Sequence, residues 1–256
     1  MPSFEPVNAV VRALEILRLI NEFGPISVVD LQKRSGMPKA TVLRMVETLI
    51  AEGYVGRSAT ALYSPTGKCL LLSSGFDSKA SYVKAAEPVL ARLRNQIGWP
   101  SDFAIYDNDA MLIILTSSEL GVLSLTGQGD ARAPLLRSAL GRIYLAHLTD
   151  ADRKVLLDRF CPADPRAGSR RQVEKTIAEA KERGYAISDE TYLDTLYPAG
   201  MHAIAVPVLG REGPVAALNV LFLRKALTFE KGVKMLLAPL RAAAKEISEG
   251  IRGETQ

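Results

Sequence analysis

Apolar residues recur at steps of three and four through the first fifty positions of the chain. Val7, Val10, Val11, Leu14, Leu17 and Ile20 predict a first helix, after a loose arm over residues 1–6. Gly24-Pro25 ends it. Ser27, with Asp30 three residues on, reads as an N-cap, and a second helix follows over residues 28–34. Gly36-Met37-Pro38 is a turn, because glycine tolerates positive φ and proline suits a helix start. A third helix runs from about Lys39 to Glu52 and stops at Gly53. Its apolar side is Val42, Met45, Val46, Leu49 and Ile50, and its opposite side carries Ala40, Thr41, Arg44 and Thr48. Residues 54–57 and 62–64 predict two short strands around Ser58-Ala59-Thr60, the layout of a wing, with a plain loop as the alternative for so short a segment.

Residues 67–74 are apolar and helix-prone, and residues 81–97 predict a clear helix. Past Pro100 the period shifts to two. Residues 101–106 and 111–116 read as strands of a hairpin around Asp107-Asn108-Asp109, and residues 122–126 as a further strand. Helices are expected over 136–148, 151–160 and 170–183, and strands over 185–188, 201–209 and 215–223, the last two joined by Gly210-Arg211-Glu212-Gly213. Thr228 N-caps a final helix to about Glu249. Hairpin strands with helices between them imply an α+β fold with an antiparallel sheet. The expected division is residues 1–66, a linker helix over 67–80, and a second domain over 81–256.

Charge sharpens the first part of this picture. The formal net charge is only +4, yet Lys33, Arg34, Lys39 and Arg44 follow one another between Leu31 and Arg44 with no acidic residue among them. Two helices, a tight turn and a basic second helix match a helix-turn-helix that lays its second helix in a DNA major groove. Arg44 would bond a guanine edge or a phosphate, and Lys39 and Thr41 a phosphate or a thymine methyl. Ala40 and Thr48 share that face, while Arg57 on the wing, Lys33 and Arg34 would add backbone contacts. The alternative is a three-helix packing or protein-binding module with a solvated basic side.

Enzyme chemistry finds little support. The chain has two cysteines and two histidines, with no CxxC and no metal-ligand spacing, and no GxSxG, HExxH or phosphate-binding glycine loop. Asp107 and Asp109 read as turn residues, and Asp189, Glu190 and Asp194 as a solvated loop. Cys69 and Cys161 fit reduced thiols in a cytoplasmic protein. The N-terminus lacks the pattern of a signal peptide, and no apolar run is long enough to span a membrane. No catalytic residue, metal or cofactor is expected. Asn219 interrupts an apolar strand on the side of Ala217 and Leu221. It is either exposed, structurally satisfied, or orienting a ligand inside a cavity. His202 is read as a packed or surface histidine, with a place in such a cavity as the alternative. Two rivals remain: an enzyme acting on a small acid, and a ligand-gated scaffold that binds protein.

Several stretches together resemble one family. They are Arg12-Ala13-Leu14-Glu15-Ile16-Leu17, residues 38–44, residues 49–55, residues 134–142, Arg183-Gly184-Tyr185-Ala186 and residues 203–208. They are similar, in order, to segments of the IclR family of bacterial transcriptional regulators. Trp99-Pro100-Ser101-Asp102 looks most like the members that activate hydroxyphenylpropionate catabolism. The resemblance implies a winged helix-turn-helix, a GAF-like effector domain, and homodimers or homotetramers on a palindromic DNA operator. It implies small organic acids as effectors. Matched position by position, the effector site would include Ser138, Ala139, Leu140, Ser188 or Asp189, Ala203, Asn219 and Leu221, with His202 beside Ala203. The family's His and Lys in the 134–142 segment are replaced by Leu136 and Arg142, and Leu221 stands where a hydroxyl can occur. These departures favour a larger, aromatic carboxylate over a two- or three-carbon acid.

Overall fold

The structure, a computed structural model, describes residues 4–73, 80–117 and 132–253. The chain divides into two compact units, Met1–Ser78 and Lys79–Gln256.

The first unit contains α1 (Asn8–Phe23), α2 (Val28–Ser35), α3 (Lys39–Ala51), β1 (Val55–Arg57) and β2 (Tyr63–Pro65). The Ser27 hydroxyl accepts the Asp30 amide at 3.2 Å and caps α2. Gly36 closes α2 in the left-handed region at φ 67°, a conformation that strains any residue with a Cβ. Leu31 from α2 and Val42, Val46 and Leu49 from α3 pack on Ile16, Leu17 and Ile20 of α1. Each fully buried aliphatic side chain there contributes roughly 1.5–3 kcal/mol. β1 and β2 pair antiparallel with Arg57 opposite Tyr63, and Ile26 bridges to Tyr63. The expected wing is therefore present. A 3-10 helix over Gly67–Ser73 follows it.

The periodic apolar residues of α1 are not all buried. Ile16, Leu17, Leu19 and Ile20 are its buried residues, whereas Val7, Val10, Val11 and Leu14 are 52–66% exposed. α1 is apolar on two sides. At 100° per residue the stretch Val7–Val10–Val11–Leu14 lies away from the side that α2 and α3 cover.

The second unit is built on a six-stranded antiparallel sheet of order β5-β4-β3-β8-β7-β6. The strands are β3 (Asp102–Asp107), β4 (Ala110–Thr116), β5 (Arg132–Pro134), β6 (Ala186–Ile187), β7 (Met201–Leu209) and β8 (Pro214–Leu223). Alternation along the strands splits the core into two layers. Leu218, Val220 and Phe222 of β8 face α4 (Ala80–Ile97) and α9 (Phe229–Gly253). Ala217 and Leu221 face the opposite layer, built from α5 (Ala139–His147), α6 (Asp150–Phe160), α7 (Arg170–Arg183) and α8 (Glu190–Leu196). Asn219 lies on that second face.

Three local differences from the sequence reading matter. β5 is an additional short strand, and the strand expected over residues 122–126 lies outside the described residues. α5 begins at Ala139 rather than at residue 136, because Ser138 caps it by accepting the Gly141 amide at 3.0 Å. Gly141 permits that arrangement: a Cβ there would stand 2.1 Å from the Leu135 carbonyl oxygen. The acidic stretch expected as a solvated loop is the helix α8. Asp189 caps it, its carboxylate accepting the Tyr192 amide at 3.0 Å.

Candidate functional site

The first candidate surface is the outer side of α3. Lys39, Ala40, Arg44 and Thr48 are exposed, and Thr41 is half-buried. The Thr48 hydroxyl donates to the Arg44 carbonyl at 2.8 Å, so it is turned onto its own helix. α3 presents its N-terminal end with Lys39, where the backbone dipole favours an anion. Lys33 and Arg34 occupy the last turn of α2, and Arg34 stacks over Phe23 at 3.7 Å from the ring centre. Arg57 is exposed on β1, 5.9 Å from the Tyr63 ring. Lys68 has a different role from these: its ammonium donates to the Glu52 carbonyl at 2.7 Å and closes the C-terminal end of α3.

The second candidate is a cavity in the second unit, between the α5 side of the sheet and α8. Ser138, Ala139 and Leu140 line it from the start of α5, and Ala203, Asn219 and Leu221 from β7 and β8. Ser188 closes one side, its hydroxyl oxygen accepting the Ala139 amide at 2.8 Å. Register explains the gathering: Ala203 pairs with Leu221 and Ala205 with Asn219, so these side chains share one face. Ile113, Leu193 and Leu196, with the rings of Tyr192 and Tyr197, complete a largely apolar wall. The free volume is about 30 Å³. That is the scale of a water molecule and about a tenth of an ordinary ligand pocket, so the side chains of this structure fill the site themselves.

Asp189 and His202 do not line this cavity. Burial works to raise the Asp189 pKa, but the Thr191 hydroxyl, the Tyr192 amide and then Arg142 and Arg137 hold it below the usual value. His202 points to the opposite face of β7, 5.3 Å from the ring centres of both Phe222 and Phe229. It borders a separate, more open cleft of about 330 Å³ that shares Ser188, Leu193 and Ala203 with the first. Burial, and then Arg224, lower the His202 pKa. Arg142, standing where the family has lysine, donates to the carbonyls of Leu136 at 2.9 Å and Ile187 at 2.7 Å. It ties α5 to β6 and does not reach the cavity.

One polar group outside the expected set reaches it: Asp102. Its carboxyl is buried on β3, with Oδ1 accepting the Thr116 hydroxyl at 2.8 Å and Oδ2 accepting the Asn219 amide at 3.0 Å. The Asp102 backbone N–H donates back to Asn219 Oδ1 at 2.8 Å. Asn219 is thereby a structural clasp between β3 and β8 as well as part of the cavity. Burial raises the Asp102 pKa, opposed by Thr116 and Asn219. Tyr197 is pushed up to about 12 by burial and then by Asp102. The sequence brings Asp102 forward only within the Trp99-Pro100-Ser101-Asp102 resemblance, and nothing local gives it a place in the cavity. Its partners lie 14 and 117 residues away.

Both units match known families. Residues 9–59 match the IclR helix-turn-helix domain, and residues 77–249 match the bacterial transcriptional regulator IclR C-terminal domain. The chain therefore belongs to the IclR family of transcriptional regulators: an N-terminal helix-turn-helix joined to an α+β effector-binding domain. Among its relatives, the HTH-type transcriptional regulator BhcR of Paracoccus denitrificans is 27% identical over 82% of this chain and 75% of its own length. The Pca regulon regulatory protein of Pseudomonas putida is 26% identical over 98% of this chain and 86% of its own. The Thermotoga maritima IclR structure superposes with a TM-score of 0.65 at 21% identity, over 96% of this chain and 99% of that one. An IclR homolog from Microbacterium hydrocarbonoxydans complexed with 4-hydroxybenzoate gives 0.65 at 19% identity, over 96% and 99%. The family and these relatives are DNA-binding transcriptional regulators, not enzymes. Among the described residues, no helix is long and apolar enough to cross a membrane.

Proposed function

We propose that this regulator senses an aromatic monocarboxylate. The observation that carries the reading is the cavity beside α5: an apolar and aromatic wall with backbone donors at one end. The amides of Ala139 and Gly141 are taken by Ser188 and Ser138, and among the described residues the Leu140 amide has no acceptor. A carboxylate set against that first turn meets N–H groups and the positive end of the helix dipole. The Microbacterium homolog, which holds an aromatic acid, supports the class of ligand. Because the cavity is filled by its own walls, occupation displaces the side chains of Tyr192 and Leu196 on α8 and of Tyr197 just after it. That displacement is the conformational difference through which a ligand shifts DNA affinity.

On the DNA side, Arg44 is assigned to a base edge, Lys39 and Thr41 to the backbone or a thymine methyl, and Lys33, Arg34 and Arg57 to phosphates. The exposed apolar stripe Val7, Val10, Val11 and Leu14 supports a homodimer or homotetramer, which reads a palindromic operator in the cytoplasm. The working division is a reader over residues 1–66, a connector over 67–80 and a sensor over 81–256. Calorimetric titration of the full chain against a panel of organic acids tests the sensor. Aromatic monocarboxylates should bind in the micromolar range. Tight binding of a two- or three-carbon acid, with aromatic acids silent, overturns the proposal.

A further inference from the structure

The cavity has two polar poles of opposite character, and they stand apart in the sheet. The donor pole is the first turn of α5, where the Leu140 amide is joined by the hydroxyls of Ser138 and Ser188. Each hydroxyl oxygen accepts a backbone amide and keeps its hydrogen to give. The other pole is the Asp102 carboxyl on β3. Ser188 follows β6, and β3, β8, β7 and β6 are successive strands. Three strand spacings of about 4.8 Å therefore separate the Asp102 and Ser188 backbones along the sheet, while both side chains line the cavity.

We infer that Asp102 reads the end of the effector opposite its carboxylate, and that it demands a hydrogen-bond donor there, a hydroxyl or amino group. The inference rests on the proposed sensing of an aromatic acid and names what that acid must carry.

Three kinds of group could meet Asp102, and the chemistry separates them. Each carboxyl oxygen already accepts one bond, from Thr116 or from Asn219, which leaves each with lone-pair capacity facing the cavity. A bare C–H strips water from those lone pairs and gives nothing back, which is the expensive half of a lost hydrogen bond. A second carboxylate is worse. No Lys, Arg or His lines the cavity among the described residues, so an ionised Asp102 would repel it with no cation to compensate. A hydroxyl or amino group donates to Asp102 and satisfies it. Burial acts against the Asp102 charge, but a carboxyl oxygen accepts in either protonation state. Asn219 gives Asp102 one of its two N–H groups and accepts the Asp102 backbone amide, so the group with the most acceptor capacity left for a ligand is the Asp102 carboxyl.

The test uses matched ligands of one length: benzoate, 4-hydroxybenzoate, 4-aminobenzoate and terephthalate, with the corresponding 3-phenylpropanoate series as the longer set. Affinities are measured by calorimetry on the full chain. In at least one series the hydroxyl or amino acid should bind about 10- to 100-fold tighter than the unsubstituted acid, and the dicarboxylate weakest of all. In Asp102→Ala this preference should fall below about 3-fold while the unsubstituted acid binds at least as well. Asp102→Asn, which keeps shape and folding but removes the charge, should admit the dicarboxylate at least about 10-fold better. Thermal unfolding of each variant establishes that it is folded. Equal binding of substituted and unsubstituted acids by the unmodified protein overturns the inference while leaving acid sensing intact. Preference that survives Asp102→Ala, or a dicarboxylate still rejected by Asp102→Asn, does the same. If no acid of either series binds, the proposed sensing itself fails.

Discussion

The outer side of α3 keeps its polar groups in water, while the cavity beside β8 keeps its polar groups away from it. Arg44, Lys39 and Lys33 are solvated and bound into no core, so the first unit folds around Ile16, Ile20 and Leu31 without them. Asp102, Asn219, Ser138 and Ser188 are buried and hydrogen-bonded to one another or to nearby backbone, so the second unit folds through them. The difference teaches where function can be altered cheaply. On α3, the residues proposed to recognise DNA are not those that hold the fold together. In the cavity, the proposed effector contacts are.

The largest effect that probes this contrast is expected at Gly141→Ala. A Cβ 2.1 Å from the Leu135 carbonyl must move backbone, and the second unit should lose more than about 4 kcal/mol. Fluorescence of Trp99, the single tryptophan, reports that unit, and hydrogen exchange at Leu31 and Val46 should remain unchanged in the first. Next, Arg44→Ala should weaken operator binding by roughly 1–3 kcal/mol, with effector affinity and thermal midpoint unaltered. A gel shift with unchanged affinity removes Arg44 from the contact set, and a lowered midpoint breaks the separation drawn for α3. Ser138→Ala should cost about 1 kcal/mol of stability through the lost cap of α5, and it should weaken the effector in the same variant. Loss of one without the other would dissociate the two roles in the cavity.

The smallest effect is a slope. Burial raises the Asp102 pKa, so the folded protein holds that proton to higher pH than the unfolded chain does. Stability from this group is complete below the ordinary value of 3.8 and is lost as pH rises through the folded value. Denaturant midpoints measured across that window should therefore fall less steeply with pH in Asp102→Asn than in the unmodified protein. Equal slopes would place the carboxyl in contact with solvent.

The reader was legible because its signals are local. Ser27 capping Asp30, Gly36 at positive φ and the polar side of α3 all lie within a turn or two of each other. The side of α1 was not, because Val10 and Leu14 fit a helical period as well as Ile16 and Ile20 do; only packing against α2 and α3 decides between them. In the second unit, alternation put Asn219 and Leu221 on one face, and family resemblance supplied Ser138, Ala139 and Leu140 as candidates, although the helix pattern starts α5 three residues early. α8 was read as a loop because seven residues with two acids carry too short a pattern, although Asp189 is a recognisable cap. Asp102 stands out in the sequence only within the Trp99-Pro100-Ser101-Asp102 resemblance; its place in the cavity depends on pairing with β8, more than a hundred positions later.

That long reach has a consequence for the protein as it is made. The helices and wing of the first unit are made before any strand of the second. The clasp of Asn219 onto Asp102 waits for β8, 117 residues after Asp102 itself. A chain halted between the two would hold a finished reading head and an unclosed cavity.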